Sequence, residues 1–208
     1  MDCKEFHPYP YQQFCIQHII DHPAAGLFVD MGMGKTVMTL TAFNYLKYYA
    51  WQIRRCLVIA PKKVAEATWR TEISGWQHLR HLRCSEVLGT ATQRRAAMAV
   101  DADIYVTNRD NVQWLVKEYG KAWPFDMVVL DESSSFKNHQ AKRFKALRSM
   151  RPKIKRIVEL TGPPSPHGLM DLWAQVYLLD GGQRLGRTIS VYRDMYFEPD
   201  KRSSCLLY

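Results

Sequence analysis

A chain of 208 residues, 47% apolar and 12% aromatic, suits one sizeable α/β domain or two very small ones and is too apolar for a disordered chain. It has no run of about 18 apolar residues to span a membrane and no basic-then-apolar leader, and its five scattered cysteines form no CxxC pair, so neither a zinc site nor a disulfide framework is supported and a reduced, cytoplasmic protein is expected. The formal charge of +9 favours a polyanionic partner, most commonly nucleic acid.

In chain order, residues 27–29 read as a short buried strand that runs into Asp30-Met31-Gly32-Met33-Gly34-Lys35-Thr36 and then a helical stretch at 37–49. Residues 56–60, 104–107, 127–130 and 157–160 are further short runs rich in Val, Ile and Leu, bounded by polar or turn residues, and read as buried strands. Between and after them, residues 64–76, 92–100, 111–119, 139–150 and 169–179 have helical length and mixed polarity. Buried strands alternating with helices predict an α/β fold: a mostly parallel central sheet with helices on both faces. Ligands of such sheets bind beyond the carboxyl ends of the strands, so the strand-end loops are where function is sought.

The first of those loops carries the strongest signal. Two glycines allow backbone N–H groups to turn inward around a phosphate, and the following helix adds its positive dipole end. In such a loop Lys35 reaches the β- and γ-phosphates and the Thr36 hydroxyl holds magnesium, although Val29 stands where the strict motif has glycine. The strand at 127–130 runs directly into Asp131-Glu132. A carboxylate at the end of a buried strand is costly unless it meets a cation or a donor. Taken alone the pair fits an acidic helix cap as well as a catalytic site. Beside Gly34-Lys35-Thr36 it reads as the magnesium-holding Asp131 and the water-polarising Glu132 of an ATPase. Thr161-Gly162, after the last strand, is placed to approach these carboxylates and couple nucleotide state to another face. Lys142 to Arg156 holds eight basic residues and no acid. Trp69, Trp76 and Trp173 read as core.

These loops together resemble the ordered motifs of superfamily 2 helicase-type ATPases, in particular the Swi/Snf-type branch of double-stranded DNA translocases. Pro10-Tyr11-Gln12 resembles the element ahead of the first motif, and Asp30 to Thr36 the first motif. Leu57-Val58-Ile59-Ala60-Pro61-Lys62 and Val106-Thr107-Asn108 resemble motifs that follow two further strands. Asp131-Glu132-Ser133-Ser134-Ser135-Phe136-Lys137-Asn138 is similar to the branch's acidic stretch with its trailing Lys-Asn. Leu160-Thr161-Gly162-Pro163-Pro164 followed by Asp171-Leu172-Trp173 is similar to the last motif of the first lobe, with Pro163 and His167 as departures. The resemblance implies a RecA-like lobe over residues 1–182, with 183–208 as the start of an inter-lobe linker or tail and no second lobe in this chain. It implies ATP and Mg2+ as cofactors and sequence-independent duplex DNA as partner. ATP would be held by Tyr11, Gln12, Met31, Gly32, Met33, Gly34, Lys35 and Thr36, the metal by Thr36 and Asp131, and DNA by Lys62, Thr107 and Lys137. Catalysis would fall to Lys35, Asp131 and Glu132. The compact form resembles members encoded in phages and prophages, which implies a bacterial cytoplasm. The alternative is a one-lobe binding module, a decoy or inhibitor that occupies nucleic acid or a partner protein without productive ATP turnover.

Overall fold

The computed structural model describes residues 4–162 and 169–198. Six strands form one parallel sheet in the order β1-β6-β5-β2-β4-β3, where β1 is Ala24–Phe28, β2 Cys56–Ala60, β3 Cys84–Glu86, β4 Ile104–Asn108, β5 Met127–Asp131 and β6 Arg156–Thr161. The helices are α1 (Pro10–Asp21), α2 (Lys35–Tyr48), α3 (Lys62–Gly75), α4 (Ala91–Ala99), α5 (Val112–Tyr119), α6 (Lys142–Met150), α7 (Leu172–Asp180) and α8 (Ile189–Tyr196). The five predicted strands and six predicted helices are all present, with ends shifted by up to three residues. Residues 169–171 form a 3-10 turn ahead of α7.

β2 is apolar along its whole length because both faces of the sheet are covered. Cys56, Val58 and Ala60 of β2 turn to one core with Ile19, Met38, Phe43 and Trp69 from α1, α2 and α3. Leu57 and Ile59 turn to the other, with Leu115, Phe144, Leu147 and Leu178 from α5, α6 and α7. This is the period-2 alternation of a strand, with helices receiving both sets of side chains.

Three elements were not expected from the sequence. β3 is a three-residue edge strand whose only fully enclosed side chain is Ser85, so no apolar run marks it. α1 begins at Pro10, where the missing N–H costs nothing, and Gln12 Oε1 accepts the Tyr9 N–H at 3.0 Å, closing the first turn. α8 lies in the stretch read as linker or tail. Thr188 caps it, and its Tyr192 is buried and donates its hydroxyl to the Leu169 carbonyl at 2.8 Å.

β6 is also tied directly to the end of α1. Arg156, 9% exposed, opens β6 and donates to the carbonyls of Ile19 and Ile20 at 2.9 Å, of His22 at 3.3 Å, and to Gln52 Oε1 at 2.6 Å. Its guanidinium closes the carboxyl end of α1, where orphan carbonyls and the negative dipole end need a cation.

Candidate nucleotide site

Residues 29–34 carry the chain from the carboxyl end of β1 to the first turn of α2. Gly32 and Gly34 hold φ of 79° and 81°, the left-handed region. A Cβ on Gly34 would stand 2.8 Å from the Gln12 amide nitrogen, which would have to move, and the φ of 81° itself favours glycine. Tyr11 and Gln12 donate to the Met33 carbonyl at 3.2 and 3.4 Å. Two of the residues expected to hold ATP thus also brace the glycine loop. Met31 projects from its tip, 86% exposed.

Lys35 folds back over the loop mouth and donates to the Val29 and Asp30 carbonyls at 2.7 and 2.9 Å. Thr36 follows in the same turn of α2, half-buried. Asp131 closes β5, and its Oδ2 accepts the Trp69 indole N–H at 3.0 Å. Burial raises the Asp131 pKa and the Glu132 charge adds to this, while the Trp69 bond and the Lys35 charge oppose it. Lys35 and Asp131 thus belong to one electrostatic site despite lying 96 residues apart in sequence (131 − 35). Glu132 adopts φ 55° and ψ 63°, left-handed backbone that a non-glycine residue keeps only when its surroundings impose it. Its half-exposed carboxylate lies 3.9 Å from the Arg109 guanidinium.

Thr161 ends β6, the strand between β1 and β5. It stands in register with Phe28, and its carbonyl accepts the Val29 N–H at 3.2 Å. The pair expected to couple, Thr161 and Gly162, therefore begins where the glycine loop begins. Pro163, Pro164 and His167 lie outside the described residues.

The expected nucleic-acid residues divide. Lys62 opens α3 with a largely exposed side chain, 3.9 Å from Glu66. Lys137 pairs with Asp171 at 2.9 Å. Thr107 is a correction. It is fully buried, its hydroxyl donates to the Val87 carbonyl at 2.8 Å, and it accepts from the Asn111 amide at 3.3 Å. It fastens the end of β4 and is out of a phosphate's reach.

Much of the basic stretch is also engaged internally. Arg151 donates to the Leu178 and Leu179 carbonyls at 2.8 and 2.7 Å, Lys153 to the Gly120 carbonyl at 2.5 Å, and Lys155 pairs with Asp126 at 2.6 Å. Lys142 and Lys145 remain exposed. Arg109, Lys142 and Arg143 line a cleft of about 150 Å³ with Asp110 and Gln113.

Sequence reasoning missed Arg109, although it directly follows the Val106-Thr107-Asn108 motif. It took Trp69 as core, which its 1% exposure bears out, but not as the donor to Asp131.

A glycine loop with its lysine, an acidic pair on the next strand but one, and the linking threonine between them are the parts of a RecA-like lobe of the P-loop class. The chain belongs to the SNF2-related domain family, whose model matches residues 11–188. It is 40% identical over 201 residues to protein p41 of Acyrthosiphon pisum secondary endosymbiont phage 1, covering 94% of this chain and 44% of that one. It is 28% identical over 160 residues to the SWI/SNF-related matrix-associated actin-dependent regulator of chromatin subfamily A member 1 of Mus musculus, covering 74% of this chain and 15% of that one. A solved structure, the Sulfolobus solfataricus SWI2/SNF2 ATPase core in complex with dsDNA, superposes with a TM-score of 0.79 at 27% identity, covering 95% of this chain and 40% of that one. The chain thus spans less than half the length of each of these relatives. Among the described residues no helix is long and apolar enough to cross a membrane.

Proposed function

We propose that this chain is the nucleotide-binding lobe of a DNA-dependent ATPase, which binds ATP with magnesium at the β1–α2 loop and turns it over when a second RecA-like lobe completes the cleft. The observation that carries this reading is the convergence of Lys35, Asp131 and Thr161 on three neighbouring strand ends. The similarity to a duplex-bound SWI2/SNF2 core supports duplex DNA as the partner.

The residues present fit the nucleotide and the ion. Two left-handed glycines and the start of a helix of 14 residues form a concave, donor-rich cradle. The Lys35 ammonium is held by two carbonyls that a phosphate can replace as its partner. Among the described residues no three His, Cys, Asp or Glu side chains gather. Asp131 and Thr36 would be the protein's share of a magnesium site, which suits an ion that takes most of its ligands from water and phosphate. When bound, ATP with magnesium supplies the phosphoryl group and neutralises its charge.

The chain's own residues do the rest. Lys35 orients the phosphates, the Trp69 indole aims Asp131 and favours its charged form against the effect of burial, and Glu132 polarises the attacking water. Thr161, bonded through its carbonyl to the start of the glycine loop, passes a change at the loop to β6 and the segment beyond it. The arginine that stabilises the transition state comes from the second lobe. Its absence costs about 10³–10⁵ in rate in phosphoryl-transfer systems, so this lobe alone binds nucleotide far better than it hydrolyses it.

The test is ATP turnover with and without duplex DNA beside Glu132→Gln. The substitution removes only the water-polarising charge, so nucleotide affinity should hold while turnover falls about 10²–10⁴-fold. Turnover equal to the parent's would assign Glu132 another role.

DNA binding is expected to be weak and independent of sequence, through Lys62, Arg109, Lys142, Arg143 and Lys145 at phosphates. Fluorescence anisotropy with unrelated duplexes at several salt concentrations should show a log–log slope of about −0.9 per phosphate neutralised. Binding indifferent to salt would leave the +9 charge a matter of solubility alone.

A further inference from the structure

On the face of the sheet covered by α5, α6 and α7, β6 carries a carboxyl that the reaction does not use. Glu159 is fully buried and makes no hydrogen bond of ordinary geometry, the Ser133 hydroxyl being the one side chain that acts on its carboxyl as a hydrogen-bond partner. It stands in register with Gly26 of β1 and Leu130 of β5, between the glycine loop and the acidic pair. Ser133 and Gln175 are fully buried as well. The Ser133 hydroxyl donates to Gln175 Oε1 at 3.1 Å, the Gln175 amide donates to the Asp171 carbonyl at 3.2 Å, and the Asp171 carboxylate pairs with Lys137.

Burial pushes the Glu159 pKa up from 4.5 to about 8, with the neighbouring Ser133 hydroxyl pulling it down. The elements packed against β6 are β1, β5, the 133–136 turn and α7. Their charged or titratable side chains are Asp131, Asp180 and Tyr177, with Glu132, Lys137 and Asp171 flanking. None of these contributes to the shift.

A serine hydroxyl has one proton. While Ser133 gives it to Gln175, its oxygen can only accept, and a carboxylic acid beside it can donate where a carboxylate cannot. An ionised Glu159 would draw the Ser133 proton to itself and break the bond to Gln175. Ser133 directly follows Glu132, whose left-handed backbone needs support from its surroundings.

We propose that Glu159 is a positioning residue of the nucleotide site: as a neutral acid it sets the direction of the Ser133 hydroxyl, and the chain from Ser133 through Gln175 to Asp171 holds the turn that presents Glu132. The role of Glu132 rests on the function proposed above, but the hydrogen-bond chain is independent of it.

The folded carboxyl holds its proton more tightly than an exposed one. The closed turn is therefore favoured at low pH and loses ground as pH rises from 4.5 towards 8. Hydrogen–deuterium exchange over 132–137 reads this directly, because the Ser135 and Lys137 amides donate to the Glu132 and Ser134 carbonyls. The chains compared are the parent, Glu159→Gln and Ser133→Ala, at pH 5.5 and 8.5, corrected for intrinsic exchange. Parent protection should fall about tenfold or more between the two pH values. Glu159→Gln, neutral and a donor at both, should show no fall and should match the parent at pH 5.5. Ser133→Ala should be less protected than the parent at pH 5.5. A flat parent, or a glutamine variant that follows the parent at both pH values, would overturn the proposal, as would an unchanged Ser133→Ala. Glutamine preserves the volume of the buried side chain, so that arm stands even if the alanine variant unfolds. No nucleotide is involved, so failure of ATP binding and failure of this inference are told apart.

Discussion

Lys35→Ala should weaken binding of magnesium ATP on the order of 10–100-fold, the worth of one or two charged hydrogen bonds to phosphate. The fold should survive. Lys35 is half-exposed and its hydrogen-bond partners among the described residues are two loop carbonyls, which water can satisfy in its place. Calorimetry of parent and variant, with matched melting curves, separates the two effects. Equal affinity in both proteins would remove the β1–α2 loop as the nucleotide site. The expectation is sharper than for most surface lysines because the ammonium has no carboxylate partner within the loop. It is held where a stronger acceptor, a phosphate, would outcompete its present ones.

What the sequence made legible follows how local each signal is. The strands β1, β2, β4, β5 and β6 declare themselves because a strand covered on both faces is mostly apolar. The glycine loop and the acidic pair declare themselves because their chemistry is confined to a few adjacent residues. β3 does not, since Cys84-Ser85-Glu86 gains its strand character only from pairing with β4. α8 is short, polar and aromatic, and its burial depends on a single tyrosine. Thr107 shows the same limit at the site. A strand-end threonine looks identical in sequence whether its hydroxyl faces solvent or, as here, the carbonyl of Val87. The indole of Trp69 on Asp131 and the guanidinium of Arg109 near Glu132 join residues 62 and 23 positions apart (131 − 69 and 132 − 109) and have no local signature.

Arg156→Ala should be the most damaging substitution for stability. It leaves the carbonyls of Ile19, Ile20 and His22 and the Gln52 side chain without their shared donor, at a buried position. Leaving a buried acceptor unpaired costs about 1–3 kcal/mol, and with several orphaned together the loss for a chain of this size lowers Tm by roughly 10 °C. Arg156→Lys should recover only part of the loss, because one ammonium cannot reproduce the planar fork that spans four acceptors. A thermal melt of the three proteins decides it, and an alanine variant melting within about 2 °C of the parent would show the helix end to be held by other contacts.

The pairing of the first strand with the last has a consequence for how the protein comes into being. Ala24 to Phe28 find their partners only in Ile157 to Thr161, more than 130 residues later. As the chain leaves the ribosome, α1, β1 and the glycine loop emerge first, yet β1 has no neighbour to hydrogen-bond until β6 is made. Contacts this distant in sequence are slow to close, because the entropy of the intervening loop is spent before the pairing returns anything. The remaining strands have partners earlier, β4 on β2 and β3, then β5 on β2, so the far half of the sheet can assemble while the nucleotide loop is still unanchored. Within this lobe the site is therefore built last from its earlier-made residues, and a nascent chain gains its phosphate cradle only when β6 slots between β5 and β1.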